Sequence, residues 1–70
     1  MERNPVSSSN LASVGYHEES QTLEVEFLKG GIYQYFGVPP YVHQELISAP
    51  SVGGYFAKSV KNSYSYSQVG

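Results

Sequence analysis

The sequence predicts an α+β domain: a three-stranded antiparallel β-meander with two C-terminal helices packed on one face. Three observations carry that expectation. Between Leu11 and Gly37, three short segments alternate apolar and polar residues and are separated by short turns, the period-two pattern of half-buried strands. After Gly37 the apolar spacing changes to three and four, as on helix faces. Pro39-Pro40 and Pro50 border the first helical stretch, and proline suits the first turn of a helix and closes one that precedes it.

Residues 1–10 are polar, with Pro5 and the run Ser7-Ser8-Ser9, and are expected to form an irregular N-terminal arm. The serine run lacks the glycines and following helix of a phosphate-binding loop. Leu11 to His17 contains the β-compatible Val14 and Tyr16 and reads as the first strand. Glu18-Glu19-Ser20-Gln21 is a polar turn. Thr22 to Leu28 places Leu23, Val25 and Phe27 on one side and Glu24 and Glu26 on the other. Lys29-Gly30-Gly31 is a hairpin turn, and Ile32 to Gly37 is the third strand. Short loops between consecutive strands make a meander the economical topology.

Tyr41 to Ser48 follows as a helix, with Val42 and Leu46 four apart and Ile47 beside them. Ser51 is a good N-cap for a second helix, whose apolar stripe is Val52, Tyr55, Phe56 and Val60. Gly53 and Gly54 weaken its first turn. Tyr64-Ser65-Tyr66 alternates again and can lie extended against the body, with residues 67–70 as a tail. Two helices cover one face of such a sheet, so the other face is expected to meet water.

The turn at Gly30 sets the face of Tyr33 and Tyr35, because a slip of one residue flips every side chain. A two-residue turn would place Glu26 opposite Tyr33 and Glu24 opposite Tyr35. A three-residue type I turn with a bulge at Gly30 would place Val25 opposite Tyr33 and Leu23 opposite Tyr35. The bulged register sorts polarity better: it gathers Val14, Tyr16, Leu23, Val25, Phe27, Tyr33 and Tyr35 on one face. Lys29 is poorly suited to the left-handed position of the shorter turn, and Gly30 suits the bulge. Tyr33 and Tyr35 are then core aromatics with hydroxyls at the sheet rim.

Composition narrows the function classes. Seventy residues, 40% apolar and without cysteine, make one domain held by packing alone, with a net stability of ~3–5 kcal/mol. The net charge is −2, whereas a general nucleic-acid binder shows a basic excess. Residues 1–28 hold five acids against Arg3, and residues 29–70 hold three lysines against Glu45. No apolar run is long enough to span a membrane, and no signal-peptide pattern opens the chain. A cytoplasmic location without membrane or cofactor is the expectation. His17 beside Glu18 and Glu19 lacks a nucleophile, and His43 and Glu45 are two apart on a helix and face differently. No metal site and no catalytic residue is expected, and the chain reads as a non-enzyme.

The strongest nucleic-acid candidates are Tyr55, Lys58, Lys61, Asn62, Tyr64 and Tyr66. Lysines three apart share a helix face, and nearby tyrosines can stack on bases. The competing role for this segment is packing of Tyr55 and Phe56 on the sheet, with solvated lysines. A protein-interaction module is the other function class, using Ile32, Phe36 and the sheet edge.

The pattern from Val6 to Tyr66 resembles the KTSC domain, a small domain also found at the C-terminus of some lysyl-tRNA synthetases. The matching pieces are Ser8-Ser9-Asn10-Leu11, Val14-Gly15-Tyr16, Leu23-Glu24-Val25-Glu26-Phe27 and Gly30. They continue with Tyr33-Gln34-Tyr35, Gly37-Val38-Pro39, Ala49-Pro50-Ser51, Gly53, Tyr55-Phe56, Val60, Tyr64 and Tyr66. The resemblance makes residues 11–66 one KTSC-like domain of a bacterial or phage-type protein. Tyr33, Tyr35, Gly30, Pro39 and Phe56 are then motif residues with structural roles. It also implies a binding module with RNA, including tRNA, as the ligand discussed for the family. Where the family often carries arginines, in the second helix and tail, this chain has only Lys58 and Lys61 among serines.

Overall fold

A computed structural model describes residues 1–70. Its sheet is antiparallel and has five strands, not three, in sequential order. The strands are β1 (Asn4–Pro5), β2 (Leu11–His17), β3 (Thr22–Phe27), β4 (Ile32–Phe36) and β5 (Tyr66–Gln68). The three central strands are those the alternation marks. The two additions lie at the edges and are too short to show a period. Pro5 is tolerated in β1 because an edge strand has one side free of ladder bonds.

The bulged register is the one observed: Val25 pairs with Tyr33, Leu23 with Tyr35 and Glu24 with Gln34. Gly30 N–H donates to the Phe27 carbonyl at 3.0 Å, and Phe27 N–H donates to the Gly31 carbonyl at 3.1 Å. Gly30 sits at φ 107°, a left-handed conformation that a side chain would strain. This turn therefore commits both tyrosines to the apolar face.

Helix α1 spans Pro40–Ser48, with Pro39 at its N-cap, and buries Val42 and Leu46. Ile47 does not join them and is 43% exposed. Helix α2 (Val52–Tyr55) is capped by Ser51, whose Oγ accepts from Gly54 N–H at 3.1 Å, an interaction worth about 1 kcal/mol. It continues as a π-helical turn over Phe56–Val60, closed by Lys61 N–H donating to the Phe56 carbonyl at 2.9 Å. Val42, Leu46, Val52, Phe56 and Val60 meet Leu11, Val14, Leu23, Val25, Tyr35 and Val38 in a single core.

The opposite sheet face differs from the water-covered surface the sequence predicts. The N-terminal arm folds over it. A Cβ built on Gly15 would stand 2.5 Å from the Glu2 carbonyl oxygen and 3.1 Å from Arg3 Cγ. Arg3 Nη1 donates to and ion-pairs with Glu24, and Arg3 Nε donates to Ser13 Oγ at 3.0 Å. Ser13 donates to Glu26 at 2.9 Å, and Gln34 donates to Glu24 at 2.9 Å. Glu24 is only 6% exposed. Arg3 supplies the counter-charge that makes this burial tolerable, since an unpaired buried carboxylate is costly.

Candidate functional site

A groove of about 570 Å³ opens where the apolar sheet face runs out from under the second helix. Its aromatic wall comes from alternate positions of the sheet: Phe27 at the end of β3, Tyr33 and Tyr35 on β4, and Tyr66 on β5. Phe56 adds the helix side. The rings form one connected cluster. Phe27 meets Tyr33 edge-on at a centroid distance of 5.3 Å, and Tyr35 meets Phe56 edge-on at 5.4 Å. Tyr66 lies tilted against both Tyr33 (5.9 Å) and Tyr35 (5.5 Å). These are the separations at which aromatic pairs attract beyond simple area burial.

The groove's rim is polar and positively charged. Lys29 arrives from the β3–β4 turn, Lys61 and Asn62 from the end of the second helix, and Ser9 and Asn10 from the loop before β2. No aspartate or glutamate lines it. The chain has four Lys and Arg side chains and six acids. Arg3 is engaged with Glu24 on the other face, so two of the three remaining cations meet here. The Ser9–Asn10 wall is held by Ser8, whose Oγ accepts from Asn10 N–H and Leu11 N–H, each at 3.1 Å. That turn packs against Gly53, where a Cβ would lie 3.0 Å from Ser8 Oγ.

Tyr35 is 4% exposed, and burial, followed by the neighbouring Tyr66 and Tyr33, pushes its hydroxyl pKa above the ordinary value. It stays a proton donor. Two other tyrosine hydroxyls are occupied: Tyr16 donates to the Val38 carbonyl at 2.5 Å, and Tyr55 donates to Glu45 at 2.8 Å. The Tyr33, Tyr35 and Tyr66 hydroxyls donate to no protein acceptor.

The six C-terminal residues singled out from the sequence therefore separate. Lys61, Asn62 and Tyr66 line the groove. Tyr55 instead ties the second helix to α1 through Glu45, and Tyr64 packs partly buried against the core. Lys58 is exposed and lies outside the groove. Lys58 and Lys61 do not line one groove, and Phe56–Val60 winds as a π-turn, not as the α-helix that the expected lysine face assumed. With bonds from i to i+5, each residue advances less around the axis, so positions three apart no longer align. Ser9, Asn10, Phe27, Leu28, Lys29 and Ala57 are the groove residues that sequence reasoning missed. Lys29 was legible only as part of a turn, and the pairing of β3 with β4 brings it here.

The remaining titratable side chains have local duties. His17 Nδ1 lies 2.8 Å from Ser20 Oγ and accepts from Ser20 N–H at 3.3 Å, closing the β2–β3 turn. His43 stacks on Tyr16 at 4.7 Å with nearly parallel rings, and burial pushes its pKa down. No group of three metal-ligating side chains converges anywhere, and no helix is long and apolar enough to cross a membrane.

The model of the KTSC domain matches residues 7–64. The chain belongs to the KTSC domain family. A crystal structure of a KTSC domain protein from Yersinia pestis superposes with a TM-score of 0.96 at 40% identity, covering 99% of this chain and 97% of that one. An uncharacterized protein of Stutzerimonas stutzeri is 48% identical over 61 residues, 87% of this chain and 86% of that protein. A lysine–tRNA ligase of Nostoc punctiforme is 39% identical over 61 residues, 87% of this chain but 11% of the ligase. Another, from a Nostoc species, is 48% identical over the same length and share. This KTSC chain thus compares in length with the small relative and spans about a tenth of the ligases. Nothing in these matches indicates catalysis by the KTSC domain itself.

Proposed function

We propose that this KTSC domain is a non-enzymatic RNA-binding module and that the aromatic groove is its binding surface. The observation that carries the reading is the charge of the groove. In a chain of net charge −2, the groove collects Lys29 and Lys61, excludes every acid, and sets them beside a cluster of aromatic rings. Cations for phosphate and π-faces for bases are the two components of single-strand binding. The relatives named lysine–tRNA ligases add support, because a tRNA-handling enzyme has use for an appended RNA contact.

Two lysines give weak, salt-sensitive affinity. A site that neutralises two phosphates of a single strand loses affinity with a logarithmic salt slope of about −1.4. Nitrogen-15 NMR titration with tRNA and with short single-stranded RNA tests this. Shifts should centre on Lys29, Tyr33, Lys61 and Tyr66 at low salt and fade as salt rises. A spectrum unmoved at low salt would end the proposal.

The other reading, a protein-interaction module on the open sheet face, has a smaller surface than the sequence promised. Glu2 and Arg3 lie across that face, and Ile32 is packed by the chain end at Gly70. Phe36, 41% exposed, is the large apolar side chain still free there.

A further inference from the structure

We infer that the groove holds one unpaired nucleotide, its base against the Tyr33 and Tyr66 rings and its phosphate met by the Tyr35 hydroxyl, Lys29 and Lys61. The inference rests on the RNA reading and narrows it to a strand end, loop or bulge in place of a duplex.

Size is the first reason. A groove of about 570 Å³ falls in the range of pockets for small ligands, roughly 300–1,000 Å³. The whole molecule measures 28 × 25 × 22 Å, and duplex RNA is bound across successive minor grooves by an extended surface. Two lysines at one groove do not make such a surface.

The second reason is Tyr35. Its side chain is almost wholly buried, lines the groove and carries a hydroxyl with no protein acceptor. No fully buried polar side-chain atom lacks a partner, so this oxygen reaches the groove itself. In the free protein that hydroxyl meets water, which a ligand oxygen can replace. A phosphate or ribose oxygen in the groove would satisfy it, and a hydrogen bond to a charged oxygen is the stronger kind. Raised by its surroundings, the hydroxyl stays protonated beside an anion.

The third is the split between ring faces and amides. Tyr66 is 60% exposed yet lies against Tyr33 and Tyr35, so it offers a ring face held in place by two neighbours. Asn10 and Asn62 both line the groove, from the loop before β2 and the end of the second helix. Each amide both donates and accepts, as contact with a base edge requires.

The test compares three probes on the full chain at low salt: a short single-stranded RNA, the same strand with abasic sites, and a blunt duplex of the same sequence. The chain has seven tyrosines and no tryptophan, so quenching of tyrosine emission reports stacking directly, alongside NMR shifts. Binding should fall about tenfold without bases and at least as far for the duplex. Tyr66→Leu should weaken the single strand about tenfold and leave the abasic strand unchanged. Tyr35→Phe keeps the buried ring and should lose about tenfold in affinity with its unfolding midpoint retained. An abasic strand or duplex that binds as tightly as the single strand would overturn the nucleotide inference while leaving RNA binding in place. Failure of all three probes to bind would remove both.

Discussion

The two faces of the sheet use polar groups in opposite ways. On the face under the N-terminal arm, Arg3, Ser13, Glu24, Glu26 and Gln34 answer one another's charges and hydrogen bonds. On the groove side, Lys29, Lys61, Asn62 and the Tyr35 hydroxyl surround an aromatic cluster and find no such partners among themselves. The closed network stabilises the fold, because each member removes the desolvation cost of another. The open set contributes little to stability and is free to answer a ligand. Polar residues close together in space are thus not of one kind: those under the arm are satisfied within the fold, and those of the groove are not.

The largest expected effect comes from the boundary between the two. Tyr35→Ala should cost about 3–5 kcal/mol, comparable to the whole stability of a domain this small, and should leave no cooperative thermal transition in circular dichroism. Tyr33→Ala, a half-buried ring at the groove, should cost clearly less. Equal losses for the two would mean that the groove wall is core.

Next is the closed network. Arg3→Ala leaves Glu24 buried beside Glu26 without its cation, and should destabilise by about 2 kcal/mol in urea titration. RNA binding should be unchanged. A loss of binding with stability intact would transfer the functional role to the arm.

The same network sets an acid response. Burial pushes the Glu24 carboxyl up, but hydrogen bonds from Gln34 and Arg3, with the charge of Arg3, outweigh it and hold the pKa below the ordinary value. The unfolded chain therefore binds the proton first as pH falls. The stabilisation is complete above the unfolded value of about 4.3 and is lost as pH drops through the lower folded value. Urea midpoints of the parent and Arg3→Ala should converge in acid. A gap that persists to the lowest accessible pH would place the stabilising interaction elsewhere.

The smallest effect on stability belongs to the open set. Lys29→Gln and Lys61→Gln should each leave the unfolding midpoint in place and reduce the salt slope of RNA binding by about 0.7. Lys58→Gln, outside the groove, should do neither. A Lys58 effect equal to that of Lys61 would restore the lysine face that α-helical spacing predicts.

The central hairpin was legible because its determinants are local. Gly30 and the alternation of Leu23, Val25 and Phe27 fix the register within a short stretch of chain. The edge strands were not, since β1 pairs two residues, one of them proline, and owes its place to Val14 and Ser13 opposite it. Half of the candidate residues fell in the groove. Lys29 and Lys61 stand on different elements, and only the finished fold brings both to one groove. The separation of Lys58 from Lys61 was hidden for a different reason: residues 56–60 carry no proline or glycine to announce a widened turn.

That widened turn is, in effect, one residue more than an α-helix needs. Removing a residue between Phe56 and Val60 would return the segment to α-helical winding and leave the residues after it facing nearly as they do now, because the five residues of the wide turn sweep about the same arc as four α-helical ones. Lys61, Asn62 and the strand that brings Tyr66 would all keep their places. The groove is therefore insulated from chain length at this one point: a single deletion there would leave its charge and shape standing, where the same deletion in an α-helical turn would carry Lys61 and Asn62 off its rim.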